Sequence, residues 1–362
     1  MRIGLGLVLF AGALALGGCK KKNNDAATGS GTATATGSGA ATATGSGAAT
    51  GSGAATGSGG AATAPDPKLI ERGQYVATLA GCVGCHTPMT PQGPDFARAF
   101  GGGMSVTEEF GTWIGANITP DPETGIGKWT DEQILAAVRE GKRPDGTMIK
   151  AIMPYTFYAG MTDDDGKALV AFLRAVPPVV NKVERGKMNL PDVPAPPTPR
   201  VDDTSDPVKH GQYLATLMHC AMCHTPMTDK GPDMSKMWAG GFKMPVPPEF
   251  GTGVIWSPNI TSHEATGIGK YTEDDVITAV RVGIRPDKTP ILPPMAFYVP
   301  GWAKMTDDDA RALAKFIKAL PPIEHKVEKS DFKPAGPPPG AGGGAPPAGA
   351  APATGAAPPA PH

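Results

Sequence analysis

An all-α fold in two tandem copies, flanked by low-complexity segments, is what this sequence predicts, on three observations. Amphipathic stretches at helical spacing recur three times in each half of the central region. Most of these stretches carry helix-start signals, and the stretches between them are long and rich in Gly and Pro. The two halves share whole phrases: Gly73-Gln74-Tyr75 and Gly211-Gln212-Tyr213, Asn117-Ile118-Thr119 and Asn259-Ile260-Thr261, Met161-Thr162-Asp163 and Met305-Thr306-Asp307. Two homologous domains are therefore expected, at 65–180 and 205–324, joined by 181–204. The joining segment contains Leu190-Pro191-Asp192-Val193-Pro194-Ala195-Pro196-Pro197, whose prolines make it extended and fairly stiff.

The first helix of each copy opens at Asp66-Pro67 or Asp206-Pro207, an N-cap followed by proline in the first turn. Its apolar stripe is Tyr75, Val76 and Leu79, or Tyr213, Leu214 and Leu217. Gly73 and Gly211 permit a close helix crossing. The second helix begins with a capping-box pattern at Thr130-Asp131-Glu132-Gln133 and carries Ile134, Leu135 and Val138; its counterpart carries Val276, Ile277 and Val280. The third opens at Thr162 or Thr306 and is stopped by Pro177-Pro178 or Pro321-Pro322. The acids at Asp163–Asp165 complement the helix dipole and do not read as an active site. Three short helices enclose little core for domains of this size, so a bulky apolar group is expected in the middle of each.

That group is suggested by the cysteines. The chain has five: Cys19, Cys82, Cys85, Cys220 and Cys223. Four form two identical phrases, Cys82-Val83-Gly84-Cys85-His86 and Cys220-Ala221-Met222-Cys223-His224, each followed by Thr-Pro-Met-Thr. A redox disulfide belongs in a strand-helix context and needs no histidine. A zinc site needs two nearby pairs, and these pairs lie in separate domains. Covalent haem c needs two thiols at fixed spacing for the two vinyl groups and a histidine under the iron, and Cys-x-x-Cys-His supplies all three. Two covalently bound haem c groups are expected.

Repeat 1 contains one histidine, His86, so the far face of its iron asks for another ligand type, and a methionine thioether is the natural choice. Four methionine positions recur. Met89 and Met227 follow the proximal histidine too closely. Met161 and Met305 sit where an apolar staple belongs. Met104 and Met244, in a Gly-rich loop, remain open, while Met153 and Met295, in proline-braced loops before the third helix, are favoured. His263 is a rival to Met295. Asn117, Asn259, Trp129 and Tyr271 read equally well as propionate partners and as loop caps or packed aromatics.

The flanks are of another kind. Arg2, an apolar run over 3–16 and Leu16-Gly17-Gly18-Cys19 look like a bacterial lipoprotein signal, 1–18, with cleavage before Cys19 and lipid on its thiol. Residues 19–64 continue as an Ala/Thr/Gly/Ser tether, and 325–362 as a Pro/Ala/Gly-rich tail without a core. The expected location is the bacterial cell envelope, facing the periplasm or the exterior, with the membrane reached by lipid anchor. A formal charge of −1 without basic clustering argues against nucleic acid.

The phrases Asn117-Ile118-Thr119-Pro120-Asp121, Thr124-Gly125-Ile126-Gly127-Lys128-Trp129 and Met153-Pro154-Tyr155 resemble the class I cytochrome c family. In particular they are similar to the cytochrome subunits of bacterial membrane-bound alcohol and gluconate dehydrogenases. The resemblance covers both domains and implies Cys82, Cys85, His86 and Met153 on one haem, and Cys220, Cys223, His224 and Met295 on the other. It further implies electron transfer with redox partner proteins, a dehydrogenase or an oxidase of a respiratory chain, and no catalysis by this chain. Two departures stand out: those subunits commonly carry three haem domains, and Met295 is followed by Ala296 where the first copy has Pro154. A dihaem enzyme, such as a peroxidase or a thiosulfate-oxidising cytochrome, or a haem-based sensor, is the alternative and needs an open or exchangeable ligand position at one iron.

Overall fold

The computed structural model describes residues 66–90, 93–229, 231–244, 246 and 251–335. The signal segment, Cys19, the tether and the tail beyond 335 lie outside the described residues.

Ten helices account for most of the regular structure among them. Repeat 1 contains α1 (Pro67–Leu79), α2 (Cys82–Cys85), α3 (Asp131–Glu140), α4 (Tyr155–Tyr158) and α5 (Asp163–Ala175); repeat 2 contains α6 (Pro207–Leu217), α7 (Cys220–Cys223), α8 (Glu273–Arg281), α9 (Met295–Trp302) and α10 (Asp307–Ala319). The caps are those the sequence calls for. Asp66 and Asp206 accept from the amides of Lys68 and Val208. Thr130 with Gln133 and Thr272 with Asp275 close full capping boxes. Thr162 and Thr306 accept from Asp165 and Asp309.

The all-α expectation holds for the cores and fails in the loops. Short antiparallel ladders form there: β1 (Met89–Thr90) with β2 (Gly93–Pro94), β3 (Ser105–Glu108) with β4 (Gly111–Ile114), β5 (Met227–Thr228) with β6 (Gly231–Pro232), β7 (Lys243–Met244) with β9 (Ile255–Trp256), and β8 (Gly251–Thr252) with β10 (Lys333–Pro334). Loops laid over a core need partners for their amides and carbonyls, and pairing with each other supplies them.

In each repeat the first and last long helices cross at a glycine. A Cβ at Gly73 would lie 1.8 Å from the Ala168 carbonyl oxygen, and one at Gly211 2.0 Å from that of Ala312. No side chain fits there. Val76, Leu79, Leu169 and Leu173, with Leu214, Leu217, Leu313 and Ile317 of the second copy, belong to one continuous buried cluster. The two repeats thus share a core. Met161 and Met305 are buried in it, as staple residues should be.

The contact between the repeats has a local two-fold pattern. Tyr75 on α1 donates to Asp309 on α10 at 2.5 Å, and Tyr213 on α6 donates to Asp165 on α5 at 2.6 Å. The Thr306 amide donates to the Tyr75 hydroxyl (3.2 Å) and the Thr162 amide to that of Tyr213 (3.4 Å). Each repeat's first helix therefore caps the last helix of the other. Arg72 pairs with Asp165 at 2.6 Å, and His210, at the matching position, bridges Asp309 and Asp202 at 2.8 Å each.

The segments after each last helix fold back. Asn181 donates to the Gly101 carbonyl, Arg185 meets Asp145, Lys150 meets Asp192, and Tyr155 donates to the Val193 carbonyl. The segment 181–204, expected as a spacer, is a strap on repeat 1. Residues 325–335, expected as the start of a structureless tail, do the same on repeat 2: His325 bonds the Ala239 carbonyl, the Asp331 amide donates to Val254, and β10 pairs with β8. Composition misleads here because the strap's proline-rich run needs few backbone donors satisfied, so the burial of Val193 and a few polar contacts seat it.

Candidate haem sites

The attachment phrase forms its own single-turn helix, separate from the first helix of its repeat. A left-handed residue, Gly81 (φ 68°) or His219 (φ 46°), breaks the chain away from α1 or α6 and redirects it into α2 or α7. The two cysteines of each turn are consequently one helical step apart, and none of the four is in a disulfide. Burial pushes the Cys82 and Cys220 thiols up to about 12 and those of Cys85 and Cys223 up to about 11. That is the reverse of the low-pKa thiolate that disulfide exchange requires. Among the described residues no three His, Cys, Asp or Glu side chains gather as a metal-binding group, so the two pairs do not join into a zinc site.

Both proximal histidines are oriented from behind. His86 Nδ1 bonds the Ala116 carbonyl at 2.7 Å, and His224 Nδ1 bonds the Pro258 carbonyl at 2.8 Å. Fixing Nδ1 leaves Nε2 as the free ligand atom, the arrangement that metal-binding histidines use. Burial lowers the pKa of both rings, which favours the neutral, ligating form. The loops are held onto the phrase by Gly102 and Gly240, whose amides donate to the His86 and His224 carbonyls. Gly115 lies so close to α2 that a Cβ there would be 1.8 Å from the Cys85 carbonyl oxygen.

In repeat 2 the structure brings Cys220, Cys223, His224 and Met295 to a single largely apolar cavity, with Met244, Arg285, Tyr298 and Trp302 also on its walls. Met244 belongs to the β7–β9 hairpin, which runs on to the Pro258 carbonyl behind His224. Met295 comes from a different wall, as the first residue of α9. In repeat 1, Met153 occupies the matching place two residues before α4, half-buried against the shared cluster that also receives Cys82. The wider spacing from Met295 to Met305 is taken up by α9, which has eight residues where α4 has four.

Several other readings resolve. Asn117 is buried, and its amide donates to the Val179 and Asn181 carbonyls and to Thr124 while its oxygen accepts from Thr119. Asn259 does the same with Ile323, His325, Thr266 and Thr261. Both are loop knots. Trp129 and Tyr271 pack against the core. His263 accepts from Thr266, the task Asp121 performs on Thr124 in repeat 1, so it is a turn cap. Sequence reasoning missed Arg285, Tyr298 and Trp302 at the cavity; the aromatic density of Met295-Ala296-Phe297-Tyr298-Val299-Pro300-Gly301-Trp302 was the available signal.

Paired thiols without a disulfide, a histidine with one nitrogen committed and an apolar cavity beside them fit haem c. The comparisons agree. The family model for cytochrome c matches residues 70–177 and 208–321. The chain belongs to the cytochrome c family. It is 35% identical over 289 residues to the cytochrome c subunit of a quinone alcohol dehydrogenase from Gluconobacter oxydans (strain 621H), covering 71% of this chain and 56% of that protein. It is 32% identical over 268 residues to a "diheme cytochrome c-type" protein of Cereibacter sphaeroides (70% and 86%). A similar match, 32% over 276 residues, is to a gluconate 2-dehydrogenase cytochrome c subunit from Pantoea cypripedii (70% and 59%). The chain spans little more than half the length of these dehydrogenase subunits. Two covalently bound haem c groups and an electron-transfer role follow for this member of the family.

Proposed function

We propose that this protein relays electrons for a dehydrogenase in the bacterial cell envelope, with each haem c ligated by histidine and methionine: His86 and Met153 in repeat 1, His224 and Met295 in repeat 2. The observation that carries the reading is the cavity of repeat 2, where the attachment phrase and Met295 come together. Met153 and Met295 would each offer a bound haem iron a neutral thioether, which would raise the reduction potential and, together with the histidine, would leave no position for a substrate. The dehydrogenase partner is inferred from the subunits to which the chain is similar. An anchor through lipid on Cys19, with 19–64 as tether, keeps the relay at a membrane; no helix among the described residues is long and apolar enough to cross one.

The test is the weak sulfur-to-iron absorption band at the red end of the oxidised spectrum. Met153→Ala and Met295→Ala should each remove about half of it and make the altered haem bind carbon monoxide when reduced. A full band in both variants refutes the methionine assignment.

A further inference from the structure

Between the two attachment turns lies a set of aromatic rings with members from both repeats. His219, immediately before Cys220, stands where repeat 1 has Gly81. Its left-handed backbone is uncommon for a residue with a side chain. The ring packs edge-on to Tyr158 of repeat 1 (6.4 Å between centroids) and to Tyr298 of repeat 2 (5.9 Å). Tyr298 stacks on Trp302 at 5.1 Å, and the Trp302 indole donates to the Leu79 carbonyl of repeat 1 at 3.1 Å.

Tyr298 reaches both halves. A Cβ built on Gly81 would lie 2.4 Å from its ring, so the ring occupies the space that glycine leaves beside Cys82. The same ring lines the cavity of Cys220, Cys223 and His224. Burial raises the pKa of its phenol, so the hydroxyl keeps its proton at neutral pH.

We propose that Tyr298, supported by His219 and Trp302, is the contact through which electrons cross between the two halves of the protein. The proposal rests on haem c in both repeats. One electron leaves the reduced iron of one half, ferrous becoming ferric, and enters the oxidised iron of the other, ferric becoming ferrous. No proton moves, and the phenol is neither oxidised nor deprotonated. The reason is continuity: electron transfer weakens steeply across empty gaps, and interiors packed at crystal density provide connected atoms. A connected route runs from Cys82 and Gly81 through the Tyr298 ring to the wall that carries Cys220 and Cys223.

The test uses the full protein with both haems loaded, half-reduced, and followed by exchange spectroscopy of the haem methyl resonances. The quantity read is the part of the exchange rate that does not depend on protein concentration. Tyr298→Phe should keep the wild-type rate, because the ring remains. Tyr298→Leu should slow the exchange by an order of magnitude or more, beyond what any measured shift in the two potentials accounts for. His219→Gly, which restores the residue of repeat 1, should slow it less. Wild-type exchange in Tyr298→Leu with both haems present overturns the proposal. Should Tyr298→Leu fail to load haem, unchanged exchange in His219→Gly overturns it instead. Loss of the sulfur-to-iron band in any variant concerns the methionine ligands and is read separately.

Discussion

In repeat 1 the carboxylate at the head of the last helix faces Arg72; in repeat 2 the same carboxylate position faces His210. Both carboxylates also accept from the tyrosine of the opposite repeat. In the first arrangement the cation is permanent, since guanidinium does not deprotonate. The second depends on a ring that titrates near neutrality. Burial opposes the charge on His210, but its hydrogen bonds to Asp309 and Asp202 and their charges outweigh this, and its pKa is raised. One junction with two halves of the same shape is therefore constant on one side and adjustable on the other.

The comparison can be attacked first where the repeats match best. Gly73→Ala and Gly211→Ala should each cost about 3 kcal/mol, because the added carbon meets backbone that cannot retreat. Denaturant midpoints measure this, and clearly unequal losses break the equivalence of the two crossings. Next come the carboxylates. Asp165→Ala should cost about 2 kcal/mol: it strips Arg72 and Tyr213 of a partner, but Arg72 is 41% exposed and regains water. Asp309→Ala, measured well above neutral pH where His210 is uncharged, should cost about 1 kcal/mol.

The pH dependence sharpens the contrast. Because the folded pKa of His210 lies above its unfolded value, its contribution is fully present below about pH 6.5 and is lost as pH rises through the folded pKa. His210→Arg should flatten this part of the stability profile, while Arg72→His should steepen it. An unchanged profile in His210→Arg means that another group carries the dependence. The smallest effect concerns the turn caps. His263→Asp installs the cap of repeat 1 and should gain about 0.5 kcal/mol with the haem spectrum untouched; a changed spectrum reinstates His263 as a ligand candidate.

Local chemistry was legible in the sequence, and long-range chemistry was not. The attachment phrases with their four paired cysteines and the capping threonines are encoded within a few residues each, so Cys82 to His86 or Thr130 to Gln133 reads directly. The shared core, the tyrosine that caps a helix of the other repeat, and the pairing of Tyr298 with Gly81 join residues far apart in the chain. Nothing local distinguishes Tyr75 as a cap from Tyr75 as core. The straps were misread for a different reason: a proline-rich composition looks the same whether it is free or seated, and only the seat formed by Tyr155 and the Val193 carbonyl decides.

The strap after α5 has a mechanical result. By the time the chain has passed Arg200, which reaches Asp163, almost all of its length is fastened to repeat 1. Asp202 and Asp203 are then already held by His210 and Lys209 of the next helix. No slack remains for a hinge. The two attachment phrases are thereby carried on one continuous frame, as two fittings screwed to the same plate.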